Sequence, residues 1–215
     1  MTYVKLCGLM CEEEVAVADA LRADYIGFVL AKSRRRVAVA DVVEWLKRVS
    51  PMHSKPVFVT VNPTLDSLLR LHEETGINRV QLSGEETKAF CQEARKQGLI
   101  VWKAIGIANE SDVERIGDYR DVVDAMLVDT KRAGAHGGTG ETFPWSLIPA
   151  CLEQAQGTPL LVAGGLTPTR VDALLADYRV QGVDVSSGIE TNGRKDTEKM
   201  RAFVHEVRRR DLVSG

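Results

Sequence analysis

Short apolar runs and amphipathic segments alternate along the whole chain. The apolar runs are bounded by turn residues and predict eight β-strands, at 3–7, 25–30, 56–61, 79–83, 99–105, 125–129, 159–163 and 182–186. The intervening and final segments carry helical periodicity and predict helices at 11–22, 39–48, 65–74, 85–97, 145–154, 168–176 and 196–210.

This alternation predicts parallel strands joined by helical crossovers. Eight such units in 215 residues match the lower size range of a (β/α)8 barrel, the TIM-barrel fold of the α/β class. An open, doubly wound sheet is the alternative, but eight units without an inserted domain favour closure. Because the chain has no low-complexity stretch or linker, we expect one catalytic domain over residues 1–215.

The overall composition favours neither nucleic acid nor a membrane as a partner. Hydrophobic residues make up 44% of the chain and the formal net charge is −2, which is ordinary for a globular protein. The arginine runs 34–36 and 208–210 lack interleaved aromatics and indicate a loop anion site and a solvated helix face. The N-terminus has no signal-peptide core, and no apolar run approaches the length of a membrane span. We therefore expect a cytoplasmic protein.

The cysteines show neither the paired spacing of a zinc site nor a disulfide framework. Cys11, Cys91 and Cys151 are expected to be buried, because free cysteine behaves mainly as a small hydrophobic residue. Cys7 differs because it ends the first predicted strand, in Val4-Lys5-Leu6-Cys7-Gly8. Catalytic groups of a closed parallel barrel gather where strands end and loops begin.

The alternation of side chains along each strand gives a test of register. Lys5 and Cys7 share one face of the first strand, and Asp184 lies on the eighth strand, which neighbours the first in a closed barrel. A buried lysine needs a partner. We therefore predict that Lys5 and Asp184 pair inside the barrel, and that Gln81 and Lys103 contribute to the same polar interior.

Two glycine-rich loops in the last quarter of the chain predict a phosphate site. The seventh strand leads into Ala163-Gly164-Gly165-Leu166-Thr167-Pro168, and the eighth into Ser186-Ser187-Gly188-Ile189-Glu190. Glycines let a backbone approach a ligand closely, and the loops after strands 7 and 8 form the recurrent phosphate site of such barrels. We expect these two loops to bind a phosphate group.

A third glycine-rich segment follows the sixth strand and contains Gly137-Gly138-Thr139-Gly140. It is too long for a simple connector and predicts a ligand loop. Asp129 shares the parity of Leu127 and points towards the barrel mouth, where a carboxylate is costly unless it is useful or paired. Cys7 and Asp129 then form an acid/base pair suited to moving protons on a sugar phosphate, a task that requires no metal ligands and no nucleotide fingerprint.

Together these segments resemble the phosphoribosylanthranilate isomerases of tryptophan biosynthesis. The matching motifs are Lys5-Leu6-Cys7-Gly8, Val80-Gln81-Leu82-Ser83-Gly84, Gly137-Gly138-Thr139-Gly140-Glu141-Thr142-Phe143-Pro144-Trp145, Ala163-Gly164-Gly165-Leu166-Thr167-Pro168 and Gly182-Val183-Asp184-Val185-Ser186-Ser187-Gly188-Ile189-Glu190. They fall in order from residue 4 to about residue 198, so the resemblance spans nearly the whole chain.

The resemblance implies a cofactor-free Amadori rearrangement of N-(5'-phosphoribosyl)anthranilate to 1-(2-carboxyphenylamino)-1-deoxyribulose 5-phosphate. It makes Asp129 the general acid that opens the furanose ring and Cys7 the general base that takes the C2' proton. It places the anthranilate carboxylate on Arg35. The other substrate-binding residues that it implies are Gly164, Gly165, Ser187 and Gly188, which would hold the phosphate, together with Gly138, Thr139 and Gly140. We expect a monomer or homodimer acting on this small phosphorylated substrate.

A cysteine that acts as a base must be helped to ionise at neutral pH, because an ordinary thiol is only a few per cent thiolate there. Lys5, which lies below Cys7 on the same face of the first strand, is the expected source of positive potential. Loop N–H groups near the strand end are a second expected source.

Two positions depart from the family pattern, and three alternatives stay open. Arg34 stands where the family usually has proline, and Ser83 where it usually has histidine. The alternatives are the analogous isomerase of histidine biosynthesis, a thiamin-phosphate-synthase-like barrel and a non-catalytic sugar-phosphate-binding barrel. The first usually has an aspartate at the place of Cys7, and the second needs an acidic cluster for magnesium. The presence of both Cys7 and Asp129 argues against the third.

Overall fold

The predicted (β/α)8 barrel is confirmed by the computed structural model, which describes residues 1–50, 52–130 and 143–213. The closed barrel consists, in chain order, of parallel strands β1 (Tyr3–Cys7), β2 (Tyr25–Val29), β3 (Lys55–Thr60), β4 (Arg79–Leu82), β5 (Ile100–Ile107), β6 (Ala125–Thr130), β7 (Leu160–Val162) and β8 (Gly182–Val185). β8 pairs with β1 and sets Asp184 opposite Lys5, so the sheet is closed rather than open.

Helices surround the barrel: α1 (Glu12–Ala20), α2 (Val39–Arg48), α3 (Leu65–Thr75), α4 (Lys88–Lys96), α5 (Glu110–Tyr119), α6 (Ile148–Ala155), α7 (Pro168–Asp177) and α8 (Thr197–Val213). α5 lies in a segment that the sequence pattern did not single out. α4 begins later than predicted because Thr87 caps it, accepting a hydrogen bond from the Phe90 N–H at 3.2 Å. Within the described ranges, no helix has the length and apolar character needed to cross a bilayer.

A small antiparallel hairpin follows β8 and was not predicted. Its strands are β9 (Glu190–Thr191) and β10 (Arg194–Lys195), and a short 3₁₀ turn, Ser187–Ile189, leads into it. Asn192 and Gly193 connect the strands with positive φ angles of 51° and 79°. An Asn-Gly pair is the commonest signal of a two-residue hairpin turn, so the sequence did contain a sign of this element.

Apolar side chains pack in two layers, and their arrangement leaves room for a polar site at one end of the barrel. The larger layer lies between strands and helices and includes Val4, Leu6 and Phe58. A smaller cluster fills the barrel interior, consisting of Trp102, Ala125, Leu127, Leu161 and Ala163. Interior positions of such barrels are packed rather than open, so ligands are confined to the carboxyl ends of the strands.

The predicted polar pair inside the barrel is confirmed. The Lys5 ammonium donates to Asp184 Oδ1 at 2.6 Å, and both side chains are buried. Burial lowers the pKa of Lys5, but the Asp184 carboxylate and, to a smaller extent, Cys7 raise it. Together they outweigh burial, so the pKa lies above its ordinary value. Gln81 is buried and lines the same end of the barrel, as predicted.

The prediction that Lys103 contributes to the polar interior was wrong. Lys103 alternates with Trp102, which packs inside the barrel, and therefore points towards the helices. Its ammonium donates to Glu86 Oε2 at 3.0 Å and to the Gly84 carbonyl at 2.7 Å, and it lies 5.6 Å from the centre of the Tyr119 ring. The buried charge is thus paired in the outer layer, where it holds the loop that follows β4.

The cysteines are all free thiols. Cys91 and Cys151 are buried as predicted, whereas Cys11 is only half-buried because it precedes α1 as its N-cap residue. Among the described residues, no group of three or more histidine, cysteine, aspartate or glutamate side chains has the arrangement of a metal site.

Candidate active site

A cavity of about 1110 Å³ opens at the carboxyl ends of the barrel strands. Residues from all eight strands, or from the loops that directly follow them, line it. The cavity brings together most of the predicted site residues, namely Cys7, Arg35, Asp129, Gly164, Gly165, Ser187 and Gly188. The remaining three, Gly138, Thr139 and Gly140, lie outside the described residues.

Cys7 lies at the floor of this cavity, at the last position of β1, and is 7% exposed. Gly27 of β2 is its register partner, and a Cβ atom built on that glycine would be 2.7 Å from Cys7 Sγ. A larger residue at position 27 would therefore occupy the space of the sulfur. Burial raises the pKa of the Cys7 thiol above its ordinary value, and Asp184 adds to that rise. Lys5 lowers the pKa, as predicted, but does not offset burial, so the expectation that the resting site helps Cys7 to ionise was wrong.

Asp129 reaches the same cavity from β6, as its strand parity predicted. Its Oδ1 accepts a hydrogen bond from the Thr130 N–H at 2.7 Å, which fixes one edge of the carboxyl group. Gly164 lies against this edge, since a Cβ atom built there would be 3.0 Å from Oδ1. The acid candidate and the first glycine loop are thus neighbours.

The two glycine loops after β7 and β8 pack against each other. A Cβ atom built on Gly188 would be 1.7 Å from the Leu166 carbonyl oxygen, so only glycine permits this approach of the two loops. Gly164, Gly165, Ser187 and Gly188 all line the cavity from these loops. The arrangement offers backbone and hydroxyl groups to an anion on the β7–β8 side of the cavity.

Arg35, predicted to meet a carboxylate of the substrate, is bound to a carboxylate of the protein itself. Its Nε donates to Glu190 Oε1 at 2.6 Å and its Nη2 to Oε2 at 3.1 Å. Glu190 also accepts from Lys195 Nζ at 2.8 Å and from Arg34 Nη2 at 2.9 Å. Burial opposes ionisation of Glu190, but the hydrogen bonds from Arg35 and Lys195 outweigh it and lower its pKa to about 2.

The cavity therefore brings together the thiol, the carboxyl group, the two glycine loops and the arginine that the sequence resemblance assigned to one site. A family model described as N-(5'-phosphoribosyl)anthranilate (PRA) isomerase matches residues 4–206. The chain belongs to this isomerase family.

Curated relatives of this isomerase-family chain match it over nearly its full length. The N-(5'-phosphoribosyl)anthranilate isomerase of Geobacillus thermodenitrificans is 42% identical over 206 residues, which is 94% of this chain and 91% of the relative. That of Brevibacillus brevis is 38% identical over 217 residues, which is 100% of this chain and 97% of the relative.

Solved isomerase structures share the whole fold. The phosphoribosyl anthranilate isomerase of Thermotoga maritima superposes with a TM-score of 0.86 at 33% identity, covering 97% of this chain and 99% of that chain. Another phosphoribosyl anthranilate isomerase, solved in complex with reduced 1-(o-carboxyphenylamino)-1-deoxyribulose 5-phosphate, superposes with a TM-score of 0.84 at 31% identity over the same shares.

Sequence reasoning about this isomerase-family chain missed the cluster around Glu190. Glu190 and Lys195 belong to the unpredicted hairpin, and the sequence pattern assigned a role to neither of them. Ser83, which stands where the family usually has histidine, lines the cavity and accepts a hydrogen bond from Gln81 Nε2 at 3.1 Å. Gln81 Oε1 is buried and has no hydrogen-bond partner among the described residues.

Proposed function

We propose that this chain catalyses the Amadori rearrangement of N-(5'-phosphoribosyl)anthranilate to 1-(2-carboxyphenylamino)-1-deoxyribulose 5-phosphate, as a cytoplasmic enzyme of tryptophan biosynthesis. The observation that carries this proposal is the joint presence of Cys7 and Asp129 in one cavity, supplied by the separate strands β1 and β6. Membership of the isomerase family supports the same substrate. Residues 1–215 would act as one catalytic domain, as a monomer or a homodimer.

The first step assigned to the site is opening of the ribose ring by Asp129. Its carboxyl group gives a proton to the ring oxygen while the C1'–oxygen bond breaks, and the nitrogen lone pair forms a C1'=N bond. The product is a cationic Schiff base and an aspartate carboxylate. The hydrogen bond from the Thr130 N–H to Oδ1 fixes the orientation of the carboxyl group for this transfer.

The second step is removal of the C2' proton by Cys7. The electron pair of the C2'–H bond forms a C1'=C2' bond, and the Schiff-base nitrogen becomes neutral. The resulting enolamine then takes a proton at C1' and loses the hydroxyl proton at O2', which yields the ketone. A cation beside a thiol favours the thiolate, so the Schiff base formed in the first step assists Cys7 in the second.

The remaining cavity residues bind the two ends of the substrate in this proposal. Gly164, Gly165, Ser187 and Gly188 hold the phosphate, because they present polar backbone and hydroxyl groups on one side of the cavity. Arg35 meets the anthranilate carboxylate from the β2 side, where a planar guanidinium fits a planar carboxylate.

The direct test is turnover by the purified chain. We expect N-(5'-phosphoribosyl)anthranilate to lose its fluorescence in the presence of the protein, and the ketone product to accumulate in equal amount. Binding of the substrate without turnover would contradict the proposal and favour a non-catalytic sugar-phosphate-binding barrel.

The pH dependence of turnover follows from the environment of Cys7. Because burial raises the pKa of the thiol, the thiolate fraction is small at neutral pH and grows as pH rises. Asp129 must keep its proton to open the ring, so rising pH also removes the acid form that the first step needs. We therefore expect a bell-shaped dependence of kcat/KM on pH. A pH series of initial rates at substrate concentrations well below KM measures this, and a kcat/KM that keeps rising through the alkaline range would contradict a protonated Asp129 as the acid.

A further inference from the structure

The loop after β2 presents two neighbouring arginines on a hydrogen-bonded turn. The Ser33 carbonyl accepts from the Arg36 N–H at 3.1 Å, which closes a four-residue turn over 33–36. Ser33 Oγ accepts from the Arg35 N–H, also at 3.1 Å. Arg34 and Arg35 therefore occupy the two central positions of a fixed turn rather than of a free loop.

Both guanidinium groups converge on Glu190, which lies 155 positions after Arg35 in the sequence. The Glu190 side chain is only 4% exposed. Arg35 reaches it across Gly8, since a Cβ atom on that glycine would be 2.6 Å from Arg35 Cδ. Lys195 closes the cluster from the other side, donating to Glu190 and to the Ser186 carbonyl at 3.0 Å.

The cluster has more positive than negative charge. Arg34, Arg35 and Lys195 carry three positive charges against the one negative charge of Glu190, whose pKa of about 2 keeps it ionised at working pH. Lys195 is fully buried and is turned towards Ser186 and Glu190. The excess charge that can meet a ligand therefore belongs to the two arginines.

Arg34 and Arg35 differ in how much of the guanidinium Glu190 uses. Arg35 donates hydrogen bonds from Nε and Nη2 to the carboxylate, and its side chain is 9% exposed. Arg34 donates from Nη2 alone, and its side chain is 60% exposed and lines the cavity. Among the described residues, none accepts a hydrogen bond from Nη1 of either arginine. Two guanidinium edges on one rigid turn are thus left for an anion in the cavity.

We propose that Arg34 is a second anion-binding residue that acts with Arg35 on the carboxylate of the aromatic acid, and that Glu190 is the positioning residue that orients both. The inference rests on the proposed function. A carboxylate rather than a phosphate is assigned because the arginines rise from the β2 side, whereas the glycine loops that suit phosphate follow β7 and β8. Arg34 therefore sets selectivity for a carboxylated aromatic ring.

The test removes the Arg34 guanidinium while keeping the turn. Arg34→Pro is suitable because proline is favoured at the second position of such a turn and the Arg34 N–H makes no hydrogen bond with described residues. Arg34→Gln is a second variant without that constraint. We expect each to raise KM about tenfold while kcat changes by less than about twofold. The matched control is Arg36→Gln, which removes an exposed charge from the same turn, outside the cavity lining.

A binding measurement distinguishes a site for a carboxylate from a site for phosphate, and it does not depend on turnover. Calorimetry with anthranilate is expected to show about tenfold weaker binding by both Arg34 variants, with unchanged binding of inorganic phosphate. If the phosphate affinity falls instead, or if Arg36→Gln has the same effect as the Arg34 variants, the proposal is wrong. Lack of turnover by the wild-type protein would overturn the proposed function, while the anthranilate measurement would still decide the role of Arg34.

The positioning role of Glu190 is tested by a double-variant cycle. Glu190→Gln is expected to raise KM more than kcat falls, and adding Arg34→Gln to it is expected to cost less than the same change in the wild-type background. Independent, multiplicative effects of the two changes would show that Glu190 does not orient Arg34. The Arg34 variants carry the test even if Glu190→Gln fails to fold.

Discussion

Replacing Cys7 by serine is expected to lower kcat/KM by about 10²–10⁴-fold, the usual contribution of a positioned acid or base. A serine hydroxyl fits the space beside Gly27 but ionises far less readily than a thiol, so the C2' proton loses its acceptor. Asp129→Asn is expected to have a loss of the same order. It keeps an oxygen acceptor for the Thr130 N–H and removes the transferable proton. The fluorescence assay measures both losses.

Cys11→Ser is the matched control for the loss at Cys7. Cys11 lies four positions further on and precedes α1 without a side-chain capping hydrogen bond, and serine is a preferred residue at that position. We expect the control to keep wild-type kcat/KM. Full activity in Cys7→Ser or in Asp129→Asn would remove that residue from the mechanism, and an equal loss in Cys11→Ser would point to a general effect on the β1–α1 loop.

The second large effect concerns stability. Asp184→Asn is expected to lower the free energy of unfolding by about 3 kcal/mol, because it leaves the buried Lys5 ammonium without its ion-pair partner. Urea unfolding followed by circular dichroism measures the change. Lys5→Met combined with Asp184→Asn is expected to be less damaging than the sum of the single changes, since no unpaired charge remains.

An exposed ion pair in the same protein provides the comparison. Lys88 and Asp118 are 3.6 Å apart with both side chains exposed, and such pairs contribute about 0–1 kcal/mol. Asp118→Asn is therefore expected to leave the unfolding curve almost unchanged. If Asp118→Asn and Asp184→Asn destabilise the protein equally, burial of the Lys5–Asp184 pair is not what makes it important.

The barrel and its polar pair could be predicted from the sequence because both follow from local periodicity. Strand alternation put Lys5 and Cys7 on one face, and barrel closure then brought Asp184 beside Lys5. The same reasoning failed for Lys103, because β5 is apolar on both faces and gives no sign of which parity faces inwards. Its direction is decided by Glu86, which supplies a buried partner in the outer layer.

The arrangement around Arg35 could not be predicted from local pattern. The residue was identified from its motif, but its partner Glu190 lies 155 positions away and on a hairpin that had not been recognised. An ion-pair cluster of this kind depends on the docking of two distant loops. The Asn-Gly pair signals its hairpin locally, whereas the contact between Glu190 of that hairpin and Arg35 of the turn over 33–36 is visible in neither segment alone.

Gly27 has a consequence for how this enzyme can change over evolutionary time. It contributes no functional group to the cavity, but the Cys7 sulfur occupies the space that a side chain at position 27 would need. An alanine at 27 would push the sulfur aside with no loss of any group that touches substrate. Positions 7 and 27 are thus linked: in the proposed mechanism, a substitution at 27 that displaces the Cys7 sulfur would lower activity although Cys7 and Asp129 both remain in the sequence.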